Sequence, residues 1–95
     1  MAEGLRVDKW LFFTRLIKTR SQAAGLVEAG EIRVNGDVVT KPSHLLKVGD
    51  ELILPTGKRM RRVVVAALGS RRGPAPEART LYRELDAPLA DPWTD

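Results

Sequence analysis

Apolar residues recur at spacings of three and four along the first third of the chain. Val7, Trp10, Leu11 and Thr14 share one face of a 3.6-residue period, which predicts a helix over 7–17. Asp8 falls in its first turn, where the helix dipole favours negative charge. A second helix follows at once. Thr19-Arg20-Ser21-Gln22 fits a capping box, with Thr19 as N-cap and Gln22 three residues on. Ala23, Leu26 and Val27 continue at helical spacing, and Gly30 is the natural stop. Two helices joined this closely must fold back sharply on each other.

The pattern then shortens to strands. Ile32-Arg33-Val34 and Val38-Val39 flank Asn35-Gly36, a strong hairpin signal because both turn residues tolerate positive φ. Lys41-Pro42-Ser43-His44 reads as a loop, since proline removes a donor and restrains the residue before it. Val48-Gly49-Asp50 is a turn into a strand over 51–54, and Pro55-Thr56-Gly57 turns the chain again. The β-branched run over 60–66 predicts a further strand. A Gly/Arg/Pro connector spans 69–76. Pro76 then suits the first turn of a C-terminal helix through Glu77, Leu81 and Leu85, with Tyr82 packing from it. Residues 86–95 read as a frayed end, and Trp93 within them is assigned no function. The prediction is one α+β domain: two N-terminal helices, a small antiparallel sheet and a C-terminal helix.

Charge adds a partner to this picture. The chain has 95 residues, enough for one compact domain, and carries a formal net charge of +4. Its distribution is uneven: residues 1–76 hold 14 of the 16 basic groups and come to +7, while 77–95 come to −3. A basic body with an acidic tail points to a polyanionic partner. There is no cysteine and only one histidine, which removes disulfides, thiolate zinc sites and a cysteine nucleophile together. No apolar run approaches the ~20 residues that cross a bilayer. Met1-Ala2-Glu3-Gly4 lacks a signal peptide's apolar region. The expected location is the cytoplasm, with no membrane partner.

The basic residues crowd one region. Arg6, Lys9, Arg15, Lys18 and Arg20 lie on the first two helices and their junction. The Thr19 cap leaves first-turn amides pointing outward beside Arg20, Ser21 and Gln22. Helix N-terminal amides with an arginine make a ready phosphate site. Lys41 and Ser43, on the loop after the hairpin, close the other side. A face built from secondary structure suits a shaped polyanion. Arg71 and Arg72 read equally as a flexible phosphate-touching arm or as a solvated connector.

Catalytic readings fail one by one. His44 beside Ser43 has no third group to orient it and is no triad. Asp50 and Glu51 are adjacent, so in an extended chain they face opposite sides. Gly57-Lys58 is followed by Arg59, not by serine or threonine, and is no phosphate loop. Trp10 suits a core or boundary role better than base stacking. Phe12 and Phe13 are neighbours, so at most one sits fully in the core.

The order of segments is also familiar. Arg6-Val7-Asp8-Lys9-Trp10-Leu11, Lys18-Thr19-Arg20-Ser21-Gln22-Ala23, Val34-Asn35-Gly36, Lys41-Pro42-Ser43 and Val48-Gly49-Asp50 together resemble the S4 RNA-binding domain. That resemblance implies an αL fold, two helices packed on a strongly bent antiparallel sheet. It also implies RNA contact through the helices and the loop after the hairpin. Arg71-Arg72-Gly73-Pro74-Ala75-Pro76-Glu77-Ala78 with Leu81-Tyr82 looks like the fifteen-kilodalton heat-shock protein family, whose members bind the ribosome. Such proteins run on into a longer basic extension, whereas this chain stops early with an acidic end.

The resulting expectation is a non-enzymatic, cofactor-free RNA-binding protein, with an S4-like domain over 6–68 (core motif 6–54) and a connector, short helix and acidic tail over 69–95. Its expected partners are ribosomal RNA and the large ribosomal subunit, with peptidyl-tRNA, and it is read as a monomer. The expected contacts are Arg6, Lys9, Arg15, Lys18, Thr19, Arg20, Ser21, Gln22, Lys41 and Ser43. Two alternatives remain: a DNA-binding or nucleoid protein, and the accessory module of an RNA-modifying enzyme.

Overall fold

A computed structural model of the protein describes residues 4–85. The chain opens with a two-residue strand β1 (Leu5–Arg6) and enters helix α1 (Val7–Phe13). The helix stops four residues before the predicted end at Ile17. Thr14 turns its hydroxyl back to the Leu11 carbonyl at 3.0 Å, and Arg15 takes the left-handed conformation with φ 62°. Glycine usually announces such a cap; here an arginine holds the position, so the stop is invisible in the sequence.

Helix α2 (Arg20–Glu28) begins as read. Thr19 Oγ1 accepts the Gln22 amide at 3.0 Å. At the other end Gly30, with φ 76°, donates to the Val27 carbonyl and Glu31 donates to the Leu26 carbonyl, a complete Schellman closure. Strands β2 (Ile32–Val34) and β3 (Asp37–Val39) then pair across Asn35 and Gly36, at φ 53° and 91°. This is the two-residue turn whose twist matches the flanking strands. Asn35 also ties the hairpin to the next turn, donating to Asp50 and accepting the Glu51 amide.

Strand β4 (Leu45–Leu46) pairs antiparallel with β1. The larger sheet continues through β5 (Glu51–Thr56) and β6 (Arg59–Val65). Pro55 and Thr56 belong to β5, so the turn lies at Gly57-Lys58 and not at the predicted 55–57. Proline is admitted because β2 pairs with β5 only as far as Ile53, which leaves that end of the strand at an open edge.

The C-terminal helix is a single turn, α3 (Ala75–Ala78), followed by a 3-10 turn (Arg79–Leu81). It does not run on to Leu85. Residues Tyr82–Leu85 form strand β7 and extend the sheet along β6. The i, i+4 spacing of Leu81 and Leu85 imitates a helix face, but β6 offers unpaired backbone groups, and edge pairing overrides the local signal. Tyr82 and Arg83 are therefore strand residues. The predicted frayed end, Trp93 included, lies outside the described residues.

The five strands of the larger sheet run β3-β2-β5-β6-β7 among the described residues, all antiparallel. One face carries Ile32, Val34, Leu52, Leu54, Val63 and Val65, all buried. They form one core with Val7, Trp10, Leu11, Ala23 and Val27 from the helices. Trp10 is wholly buried, and its indole N–H donates to the Ala67 carbonyl at 3.0 Å. That bond satisfies the one polar atom a buried tryptophan carries. Phe12 and Phe13 both stay partly exposed.

Candidate nucleic-acid interface

The helical bend collects charge around one buried carboxylate. The Asp8 side chain is 4% exposed and accepts both Nε and Nη2 of Arg6 at 3.1 Å. From the first turn of α2, Arg20 brings its Nε to 3.5 Å from Asp8 Oδ2. Two guanidiniums on one carboxylate leave the cluster positive. The Arg6 and Arg20 side chains are 42% and 44% exposed, so each fork keeps donors facing solvent. A buried anion that aims two arginines outward fixes their direction before any ligand arrives.

The loop between β3 and β4 is fastened beside this cluster. The Val7 amide donates to the His44 carbonyl at 2.8 Å and the Asp8 amide to the Pro42 carbonyl at 3.4 Å. Two orphan amides of α1 are thus used to hold the loop. Lys41 and Ser43 are exposed on it. The amides of Arg20 and Ser21 have no partner among the described residues, so the start of α2 presents free N–H groups next to the Arg20 guanidinium.

The other expected contacts disperse. Lys9 is partly exposed on α1. Arg15 does not join the Asp8 cluster; its Nε donates to the Gly73 carbonyl at 2.7 Å. Lys18 and Gln22 line a separate groove of about 630 Å³, between α2 and the β5–β6 turn, with Gly25, Leu26, Pro55 and Thr56. Thr19 spends its hydroxyl on the cap, and Ser21 is exposed. The structure therefore gathers Arg6, Arg20, Ser21, Lys41 and Ser43 around the start of both helices, and sets Arg15, Lys18 and Gln22 apart.

Two residues escaped the reading of the sequence. Asp8 looked like an ordinary helix-dipole partner, whereas it is the hub that orients Arg6 and Arg20; its place two residues after Arg6 was the only signal. Arg72 stacks its guanidinium 4.3 Å from the centre of the Phe12 ring and donates to the Lys18 carbonyl at 3.0 Å. Nothing local in the sequence links residues 54 positions apart.

Two helices over an antiparallel sheet, with a cationic surface where the helices meet, define a small α+β binding domain. The S4 domain family model matches residues 5–52, half of the chain, and the chain belongs to that family. Among similar proteins, Heat shock protein 15 of Escherichia coli (strain K12) is 40% identical over 83 residues, covering 87% of this chain and 62% of its own length. The RQC P-site tRNA stabilizing factor of Listeria monocytogenes is 37% identical over 86 residues, covering 88% of this chain and 92% of its own. A trimeric structure of Vibrio cholerae Heat Shock Protein 15 superposes with a TM-score of 0.83 at 38% identity, over 87% of this chain and 83% of that one. The chain thus spans less than two thirds of the Escherichia coli relative.

Proposed function

We propose that this protein binds structured ribosomal RNA on the large ribosomal subunit and serves in the recycling of stalled ribosomes. The observation that carries the reading is the Asp8-anchored pair Arg6 and Arg20 beside the free amides of α2. Such a site takes phosphate in a fixed orientation, as a folded RNA backbone supplies it. Membership of the S4 family supports it, as do relatives named for heat shock and for stabilising P-site tRNA. Arg6, Arg20 and Lys41 neutralise phosphate, Ser21 and Ser43 add hydrogen bonds, and Lys9, Arg15, Lys18, Thr19 and Gln22 extend or support the surface. The role is that of a binding factor in the cytoplasm, without catalysis. The protein acts as a monomer in this reading; the trimer described for the Vibrio cholerae protein is the alternative that analytical ultracentrifugation distinguishes.

Sedimentation with separated ribosomal subunits tests the reading. The protein is expected to travel with large subunits and to be displaced by ribosomal RNA more readily than by duplex DNA at matched salt. Co-sedimentation with neither subunit, or equal displacement by DNA, would contradict it.

A further inference from the structure

The bend between α1 and α2 carries a second group of cations. Arg15 reaches the Gly73 carbonyl at 2.7 Å, and Arg72 reaches the Lys18 carbonyl at 3.0 Å. These two crossed bonds lash segment 72–73 against the bend and bring Arg72 to the same stretch of chain as Arg15. Neither Arg15 nor Arg72 has a carboxylate within 4 Å among the described residues. Elsewhere Arg61, Arg62 and Arg71 each hold one, on Glu84, Glu51 and Glu77. The Glu77 carboxylate, packed against Gly73, is engaged by Arg71. The left-handed Arg15, at φ 62°, closes α1, and the buried Nε of Arg72 has no hydrogen-bond partner among the described residues. An Nε that buried is out of a ligand's reach, so the donors Arg72 offers a phosphate are its Nη groups.

The geometry points to a second phosphate-binding site, a cradle formed by Arg15 of the bend and completed by Arg72 from outside the S4-matched residues 5–52. Phe12 holds the Arg72 guanidinium by its face, and the Lys18 carbonyl fixes one N–H. The plane of the fork is thereby set, and Nη2 has no partner among the described residues. An RNA phosphate seated here neutralises two guanidiniums that form no ion pair among the described residues. This inference rests on the RNA-binding reading above and adds a contact to it. The cradle joins the Asp8 cluster through the short stretch from Lys18 to Arg20, so a single RNA backbone passing over the start of α2 meets both.

The test is the salt dependence of binding to purified large ribosomal subunits, for the full chain and for Arg72→Met. Methionine keeps an unbranched side chain against Phe12 and removes the charge. Arg72→Met is expected to bind about tenfold more weakly, and the slope of log affinity against log salt is expected to flatten by about 0.9, one phosphate contact. Unchanged affinity, or weaker binding with an unchanged slope, would overturn the cradle. If Arg72→Met does not fold, Arg72→Gln takes the same test with an amide left for the Lys18 carbonyl; unfolding of both would make Arg72 a structural staple and overturn the assignment. Arg20→Ala separates the two ideas. Loss of binding in Arg20→Ala with none in Arg72→Met leaves the proposed function standing and removes only the cradle.

Discussion

Arg20 Nε lies 3.5 Å from Asp8 Oδ2, across the sharp bend between α1 and α2. The contact joins the first turns of two helices through a carboxylate that is all but buried, and it decides where the Arg20 fork points.

The role of Asp8 is separable from simple charge. Asp8→Asn makes the surface one unit more positive, so electrostatics alone would tighten RNA binding. The reverse is expected: Arg6 and Arg20 lose their common anchor, and affinity falls about tenfold, ~1.4 kcal/mol. Stability should fall by roughly 1–3 kcal/mol, because charge-assisted bonds to a buried group are lost. Filter binding and thermal melting of the variant check both, and tighter binding would show that the aspartate merely offsets charge.

The hairpin turn predicts a purely structural defect. Gly36 sits at φ 91°, a region a β-branched residue enters only under strain. Gly36→Val should cost roughly 1–2 kcal/mol, and each kcal/mol lowers the melting temperature of a domain this size by about 4–8 °C. Well below its own midpoint the variant should bind RNA as the parent does. Lost binding in a folded variant would place the turn against the RNA.

Much of this was legible because it is local. The Thr19 cap, the Gly30 closure and the Asn35-Gly36 turn are each specified within a few residues, and the structure realises all three. The misses are of another kind. Arg15 ends α1 in a conformation that its side chain does not announce. Leu81 and Leu85 keep a helical spacing that the open edge of β6 overrules. Asp8 and Arg72 act through partners on other elements, which a reading along the chain cannot pair. The basic residues were visible by type, but their sorting into an Asp8 cluster and a separate group at the bend depends on tertiary contact.

Strand β7 supplies a pH-dependent test of its own pairing. The Arg61 guanidinium, hydrogen-bonded to Glu84 across the strands at 2.8 Å, lowers the Glu84 carboxyl from its ordinary 4.5. A carboxyl depressed in the folded state stabilises above its unfolded value, and that contribution is lost as pH falls through the folded one. Glu84 is 46% exposed, so solvent screening limits the effect to about 0.2–1 kcal/mol. Glu84→Gln should therefore melt slightly below the parent at pH 7, with the gap closing as the solution is acidified below the ordinary glutamate range. A gap that widens in acid would contradict the pairing.

The most direct test of the central claim is the RNA affinity of Arg20→Ala, measured with its melting temperature on large-subunit ribosomal RNA. Alanine is the best helix former, so α2 has no intrinsic reason to weaken. A charge-assisted contact is worth ~1.5–3 kcal/mol, about ten- to a hundredfold in affinity. Arg20→Lys should recover only part, since an ammonium lacks the fork. Arg83→Ala on β7 serves as the control and should change little. The account predicts a folded Arg20→Ala that has lost most of its binding. Parental binding in Arg20→Ala, together with failure of Arg83→Ala, would move the site to the C-terminal strand and contradict it.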